Sequence, residues 1–171
     1  YSGGLLRIAF NSGEDLRPLI ADAEETVDGF FFEDVPSYTA DEFMADLMRV
    51  TAGKTDQMLA RILIGQSYNT IRWMHEYGGI PMEPAISLSA IRVGNRVKWQ
   101  KGAIVRALHE GVGLSKSWFS KCLSNSIEVR YKSAVTALVQ DQHGAVIGVK
   151  VSNGETVEEV TARAVILGCG G

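Results

Sequence analysis

The last third of the chain carries the clearest alternation of apolar and polar positions. Residues 127–131 (Ile-Glu-Val-Arg-Tyr) alternate as a half-buried strand does, and 133–140 (Ser-Ala-Val-Thr-Ala-Leu-Val-Gln) resume the pattern after one break at Lys132. Asp141-Gln-His-Gly144 reads as a turn, because Asp can bond the backbone ahead of it and Gly144 supplies a positive φ. Residues 145–152 return as the next strand, Asn153-Gly154 is a strong hairpin signal, and 156–160 form an outward strand. The pattern then changes. Ala162-Arg-Ala-Val-Ile-Leu167 is nearly continuous apolar, as in a parallel strand buried on both faces, and it runs into Gly168-Cys-Gly-Gly171. The expectation is a three-stranded antiparallel meander over 127–131, 133–140 and 145–152, feeding a separate, buried parallel strand at 162–167.

Residues 1–125 carry mostly helical patterns. Thr39-Ala-Asp-Glu42 is a capping box, Phe43, Leu47 and Val50 recur at helical spacing, and Gly53 is placed to end that helix. A second helix is expected over 56–77, with Leu59, Ile62, Leu63, Thr70, Trp73, Met74 and Tyr77 as its apolar stripe and Gly78-Gly79 as its stop. His75 flanks that stripe, where a structural role outweighs a catalytic one. Ile91 to Val93, Gly94-Asn95 and Arg96 to Trp99 spell a hairpin whose Ile91, Val93, Val97 and Trp99 are expected on one face. Residues 102–109 fit a short helix or an extended segment. The run Phe30-Phe31-Phe32 is either a loop anchored by buried aromatics or a sticky patch.

Composition narrows the class. With 171 residues and 46% hydrophobic content the chain can bury one substantial core, so a single domain over 1–171 is expected. A net charge of −3 gives no reason to expect nucleic acid or an anionic membrane as partner. No apolar run nears the roughly 20 residues of a membrane span. Only Cys122 and Cys169 occur, far apart, which suits a reducing cytoplasm and neither a disulfide framework nor a metal site. The first residue is Tyr rather than Met, which points to a longer parent protein.

Two glycine stretches have two readings each. Ser2-Gly3-Gly4 is an ordinary turn or a glycine loop leading into the ordered apolar segment 5–10. Arg7 behind it is a phosphate or carboxylate anchor, or a solvated surface residue. Gly111-Val-Gly113-Leu114-Ser115 opens a helix expected over 114–124; its amides either meet a phosphate at the helix start, or simply start a helix between packed elements. It is not a dinucleotide fingerprint, since Lys116 stands where the third glycine belongs, and it is not a P-loop.

The alternating stretch and its flanks resemble the fumarate reductase/succinate dehydrogenase flavoprotein superfamily. The segment from Ser126 to Gly171 is similar to the middle of that superfamily's FAD-binding domain, which reads "Gly-Val-Glu-Ile", "Val-x-x-Leu", a hairpin, then "Ala-Lys-Ala-Val-Val-Leu-Ala-x-Gly-Gly". Tyr1-Ser-Gly-Gly-Leu-Leu-Arg7, Tyr38-Thr-x-Asp-x-Phe and Ser67-Tyr-Asn-Thr-Ile-Arg-Trp-Met74 resemble the tricarballylate dehydrogenase-like branch, while 81–111 match loosely. The resemblance implies a partial Rossmann-like α/β domain that binds FAD. Its parent would oxidise or reduce a small (poly)carboxylic acid by hydride transfer between substrate carbon and flavin N5.

Cofactor contacts implied by the resemblance are Ser2, Gly3 and Gly4 by the flavin, the backbone of Ala134 or Val135 facing adenine, and Gly168 and Gly170 on the phosphate side. The Gly-x-Gly-x-x-Gly strand-to-helix turn that holds the pyrophosphate has no match in the sequence. No Ser-His-Asp, Cys-His or paired-carboxylate arrangement supplies another chemistry, so no catalytic residue is assigned. The chain is therefore expected to be an internal piece of an FAD domain, inactive alone, binding FAD weakly or not at all, and prone to self-association through 162–167 and 30–32. The competing reading is a self-contained, non-catalytic interaction or structural module.

Overall fold

The computed structural model describes residues 3–102 and 105–169, and for 88 and 89 the backbone alone. The chain divides into two compact units, Tyr1–Ser126 and Ile127–Gly171. The strands are β1 (Leu5–Leu6), β2 (Met82–Pro84), β3 (Ala90–Val93), β4 (Arg96–Trp99), β5 (Val105–Ala107), β6 (Ala134–Gln140), β7 (Val146–Ser152) and β8 (Val157–Thr161). The helices are α1 (Ala23–Thr26), α2 (Ala40–Val50), α3 (Gln57–Glu76), α4 (Ile86–Ser89) and α5 (Glu110–Ser124). Every described strand pair is antiparallel.

In the first unit a small sheet of order β1-β5-β2 and the β3-β4 hairpin accompany the helices. Of the two readings for 102–109, the described part takes the extended one at Val105–Ala107, which is β5. The core gathers Ile8, Phe10, Leu16, Leu19, Ile20, Phe30, Phe32, Tyr38, Ile80, Val97 and Val105, all buried. Phe30 meets Phe32 edge-on at 4.9 Å and Trp99 at 5.6 Å, so two of the three consecutive phenylalanines anchor the loop. Phe31 points outward beneath the Arg96 guanidinium, 4.6 Å from its ring centre. A sticky patch over the whole run is excluded.

The capping box at α2 forms as read: Thr39 Oγ1 accepts from the Glu42 amide at 3.3 Å, and Glu42 Oε2 accepts from the Thr39 amide at 2.9 Å. Gly53 ends this segment at φ +78°, its amide donating to the Met48 carbonyl at 2.8 Å. Asp56 caps α3 by accepting from the Met58 and Leu59 amides at 2.9 and 3.0 Å.

Three expectations for this unit are corrected. The first half of the apolar stripe assigned to α3 faces away from the core: Leu59, Ile62 and Leu63 are 62%, 59% and 57% exposed, while Ala60, Ile64, Ser67 and Ile71 are buried; of the stripe's second half, Met74 does pack against the core. The helix carries apolar residues on two faces, and tertiary packing chose the smaller set. In the hairpin, Val97 pairs with Arg92 and Trp99 with Ala90, so the exposed Ile91 and Val93 lie on the opposite face. With a two-residue turn, directly paired positions share a face, and that pairs odd numbers with even ones. Finally, α5 begins at Glu110, four residues before the expected start at Leu114, and takes Gly111 and Gly113 into its first turn.

The second unit is a meander of order β6-β7-β8. Asp141 Oδ1 accepts from the His143 and Ala145 amides at 2.8 and 3.0 Å, with Gly144 at φ +82°. Asn153 Oδ1 accepts from the Glu155 and Thr156 amides at 3.0 and 2.9 Å, with Gly154 at φ +96°. Both turns are those read from the sequence. The three strands differ in membership: 127–131 is not a strand, and β8 takes the third place. Residues 162–167 are also no strand; Ile166 is 94% and Leu167 64% exposed. An apolar run becomes a buried strand only where neighbours offer a ladder on both edges. The described residues give this one a single tie, from the Ala162 amide to the Ile147 carbonyl at 2.9 Å.

Candidate functional site

The implied contacts fall in both units, each considered by itself. Ser2 and Gly170 lie outside the described residues. In the first unit Gly4 adopts φ +65°, and a Cβ there would stand 2.6 Å from the Glu110 carbonyl carbon. Its own carbonyl accepts from the Ala107 amide at 3.0 Å. The glycine is demanded by backbone packing against the start of α5. Gly3 beside it is exposed. Gly113 is equally constrained: a Cβ there would lie 1.8 Å from the Leu108 carbonyl oxygen. Gly113 is thus what lets β5 pass close to α5, which favours the helix-start reading of this stretch.

Arg7 is engaged within the protein. Its Nη1 donates to the Tyr38 hydroxyl at 3.0 Å and lies 3.6 Å from Asp46, with its guanidinium carbon 5.5 Å from the Tyr38 ring centre. Tyr38 in turn donates to Asp46 Oδ2 at 2.8 Å. Burial raises the Tyr38 pKa, while hydrogen bonds from Arg49 and then Tyr38 lower that of Asp46. This chain of bonds ties β1's exit to α2 and leaves Arg7 no character of a free anion anchor. His75 Nδ1 pairs with the Ile80 carbonyl at 2.9 Å, a tie across the end of α3.

In the second unit the implied residues converge. Val135, 56% exposed on β6, and Gly168 line one cavity of about 270 Å³, with Leu138, Val149 and the 165–169 segment among its walls. Nothing would meet a Cβ at Gly168, so its approach side is open. Ala134 pairs with Ser152 beside it. A second cavity of about 370 Å³ shares Val135 and Val149 and continues over Val151 and Val160 to a rim of Glu128, Arg130 and Ser133. The two form one groove along the valine face of the meander. Its other boundary is the free edge of β6, whose outward backbone N–H and C=O groups have no strand partner among the described residues.

The rim was missed in the sequence. Arg130 Nε donates to Glu128 Oε1 at 2.7 Å and Nη1 donates to Glu158 Oε1 at 2.6 Å, raising the arginine pKa chiefly through the Glu128 bond. Glu128 and Arg130 share the parity of one strand face, a signal that was available; Glu158 lies 28 residues downstream and was not.

A ligand pocket for a drug-sized molecule spans roughly 300–1,000 Å³. The groove therefore has room for one end of a dinucleotide, with an apolar floor for a flat base and a backbone edge for its polar rim. A pyrophosphate cradle is absent from the sequence, as noted above. Among the described residues no cluster of His, Cys, Asp or Glu could hold a metal, and no helix is long and apolar enough to cross a membrane. A family model described as an FAD binding domain matches residues 33–171. No curated protein matches the sequence.

Proposed function

The chain belongs to the FAD binding domain family, and from that premise we propose that it is an internal part of an FAD-dependent oxidoreductase acting on a small (poly)carboxylic acid. FAD is the cofactor this domain serves, and an FAD-dependent redox role is the family's general function. When bound, FAD supplies a flavin ring that exchanges hydride with a substrate carbon at N5. The residues of this chain bind and orient. Val135 and its neighbours on β6 hold the adenosine end, and Gly168 lets the phosphate side come close.

The observation that carries this reading is the shared cavity: two positions 33 residues apart, assigned to one ligand from the sequence, line one pocket. The carboxylic-acid substrate rests on the resemblance of residues 1–16 and 38–53 to the tricarballylate dehydrogenase-like branch. Among the described residues of these stretches, the two arginines, Arg7 and Arg49, are both paired with Asp46, so neither stretch by itself supplies the anchor for a substrate carboxylate.

Titration of the chain with FAD tests the reading. Weak binding that adenosine displaces and that Val135→Lys abolishes is expected; Val135 is half-exposed, so the substitution leaves the core intact. Equal FAD affinity in wild type and V135K would overturn the assignment. With FAD supplied, the chain should oxidise succinate or tricarballylate no faster than free FAD. In the longer protein, anaerobic mixing with those acids should bleach the flavin; bleaching by amines and by none of the acids would overturn the substrate class.

A further inference from the structure

The wider of the two meander cavities has a chemistry that the shared valine floor does not explain. Its rim consists of Glu128, Arg130 and Ser133, and Arg130 is pinned by two carboxylates, Glu128 at 2.7 Å and Glu158 at 2.6 Å. Arginine has five N–H donors in a rigid plane. Two are spent here, so three donors and the faces of the guanidinium stay available at the cavity that Val135, Val149, Val151 and Val160 also line. A planar cation held at the rim of an apolar floor suits a flat, neutral heterocycle with acceptor nitrogens. It does not suit a phosphate, because Glu128 on the rim and Glu158 bonded behind Arg130 leave these three side chains one net negative charge, and like charges repel over several ångströms.

Resting on the reading that the meander takes the adenosine end of FAD, we infer that Arg130 seats the purine ring on this valine floor, with Glu128 and Glu158 as positioning residues that hold its guanidinium and bar phosphate from this end of the groove. The dinucleotide then runs in one direction, base toward Arg130 and phosphates toward Gly168, where no acidic residue lines the cavity.

The intact chain is titrated with adenosine, AMP and riboflavin by ligand-observed NMR. Adenosine should bind more tightly than AMP, and riboflavin should not compete. Arg130→Met should weaken adenosine about tenfold, the loss of one stacking contact and one hydrogen bond, and Arg130→Lys should not restore it. Glu158→Gln removes a negative charge, so it should narrow the preference for adenosine over AMP, a shift that a merely structural role would not produce. If V135K abolishes adenosine binding while R130M leaves it unchanged, the meander reading stands and the role of Arg130 is overturned. If neither substitution affects adenosine, the meander reading falls as well. Tighter binding of AMP than adenosine, or no adenosine binding at saturation, overturns the inference outright.

Discussion

Gly113 sets two physical rules against each other. By helix propensity, replacing a glycine inside a helix with alanine stabilises by about 0.8–1 kcal/mol. Gly113 lies in the first turn of the 15-residue α5, so propensity alone favours Gly113→Ala. The structure says the reverse. An added Cβ would fall 1.8 Å from the Leu108 carbonyl oxygen and 2.9 Å from its carbon, both backbone atoms that no rotamer change can move. Relief requires shifting the end of β5, where the Leu108 amide donates to the Pro81 carbonyl at 2.9 Å. The adjacent His109 and Glu110 both sit at φ +60° and have little freedom to absorb the shift. Overpacking of this kind costs about 1–3 kcal/mol and a lost hydrogen bond about 1 more. Subtracting the propensity gain leaves a net destabilisation of about 2 kcal/mol.

The control is Gly65→Ala. Gly65 sits midway along the 20-residue α3, and nothing lies within 4 Å of its would-be Cβ, so the full gain of about 1 kcal/mol should appear. Trp73, Trp99 and Trp118 all belong to the first unit, so tryptophan fluorescence follows its unfolding alone. At about 2–4 °C per kcal/mol, G113A should melt some 4–8 °C below wild type and G65A 2–4 °C above it. G113A melting at or above wild type would refute the claim that backbone approach fixes this glycine.

Within α3 the two apolar faces separate in the same assay: Ile64→Ala should cost about 2–5 kcal/mol and Ile62→Ala less than 1, because only Ile64 is buried. Acid should weaken the first unit. Bonds from Lys101, then the Thr39 backbone, lower the pKa of Glu42, and bonds from Arg49, then Tyr38, lower that of Asp46. A depressed folded pKa contributes stability above the unfolded values of 4.5 and 3.8 and loses it as pH falls through the lower folded ones. Asp46→Asn should therefore flatten the melting profile below about pH 4, and an unchanged acid limb would count against the pairing. The exposed Ile166 and Leu167 should drive self-association, each forfeiting about 1.5–3 kcal/mol of burial. Ile166→Asp should shift sedimentation toward monomer, and identical sedimentation of variant and wild type would remove the segment from the interface.

Local chemistry was legible and long-range pairing was not. The Thr39–Glu42 box, the Asp56 cap and the Asp141 and Asn153 turns each depend on side chains bonding backbone within a few residues, so the sequence contains all the partners. Of the candidate site, Val135 and Gly168 were singled out by a family pattern and line one cavity, whereas the second carboxylate on Arg130, Glu158, becomes a neighbour only once β8 has folded back. Residues 127–131 and 162–167 failed for one reason. Alternation and apolar runs report what a segment is able to pair with, and pairing itself requires a strand alongside.

The same logic explains the reversal in α3. Leu59, Ile62, Leu63 and Trp73 outweigh Ala60, Ile64, Ser67 and Ile71 in apolar area, and periodicity weighs area. Packing weighs fit. The buried face offers Ser67, whose hydroxyl donates to the Ile64 carbonyl at 2.7 Å and accepts from the Ala9 amide at 3.0 Å, fastening β1's exit to the helix. Small residues at 60 and 67 bring that backbone close enough for the bond to form, and leucine at either position would hold it off. A bulky stripe at 59, 62 and 63 has no such constraint, which leaves it the face on which a further partner element would pack most favourably.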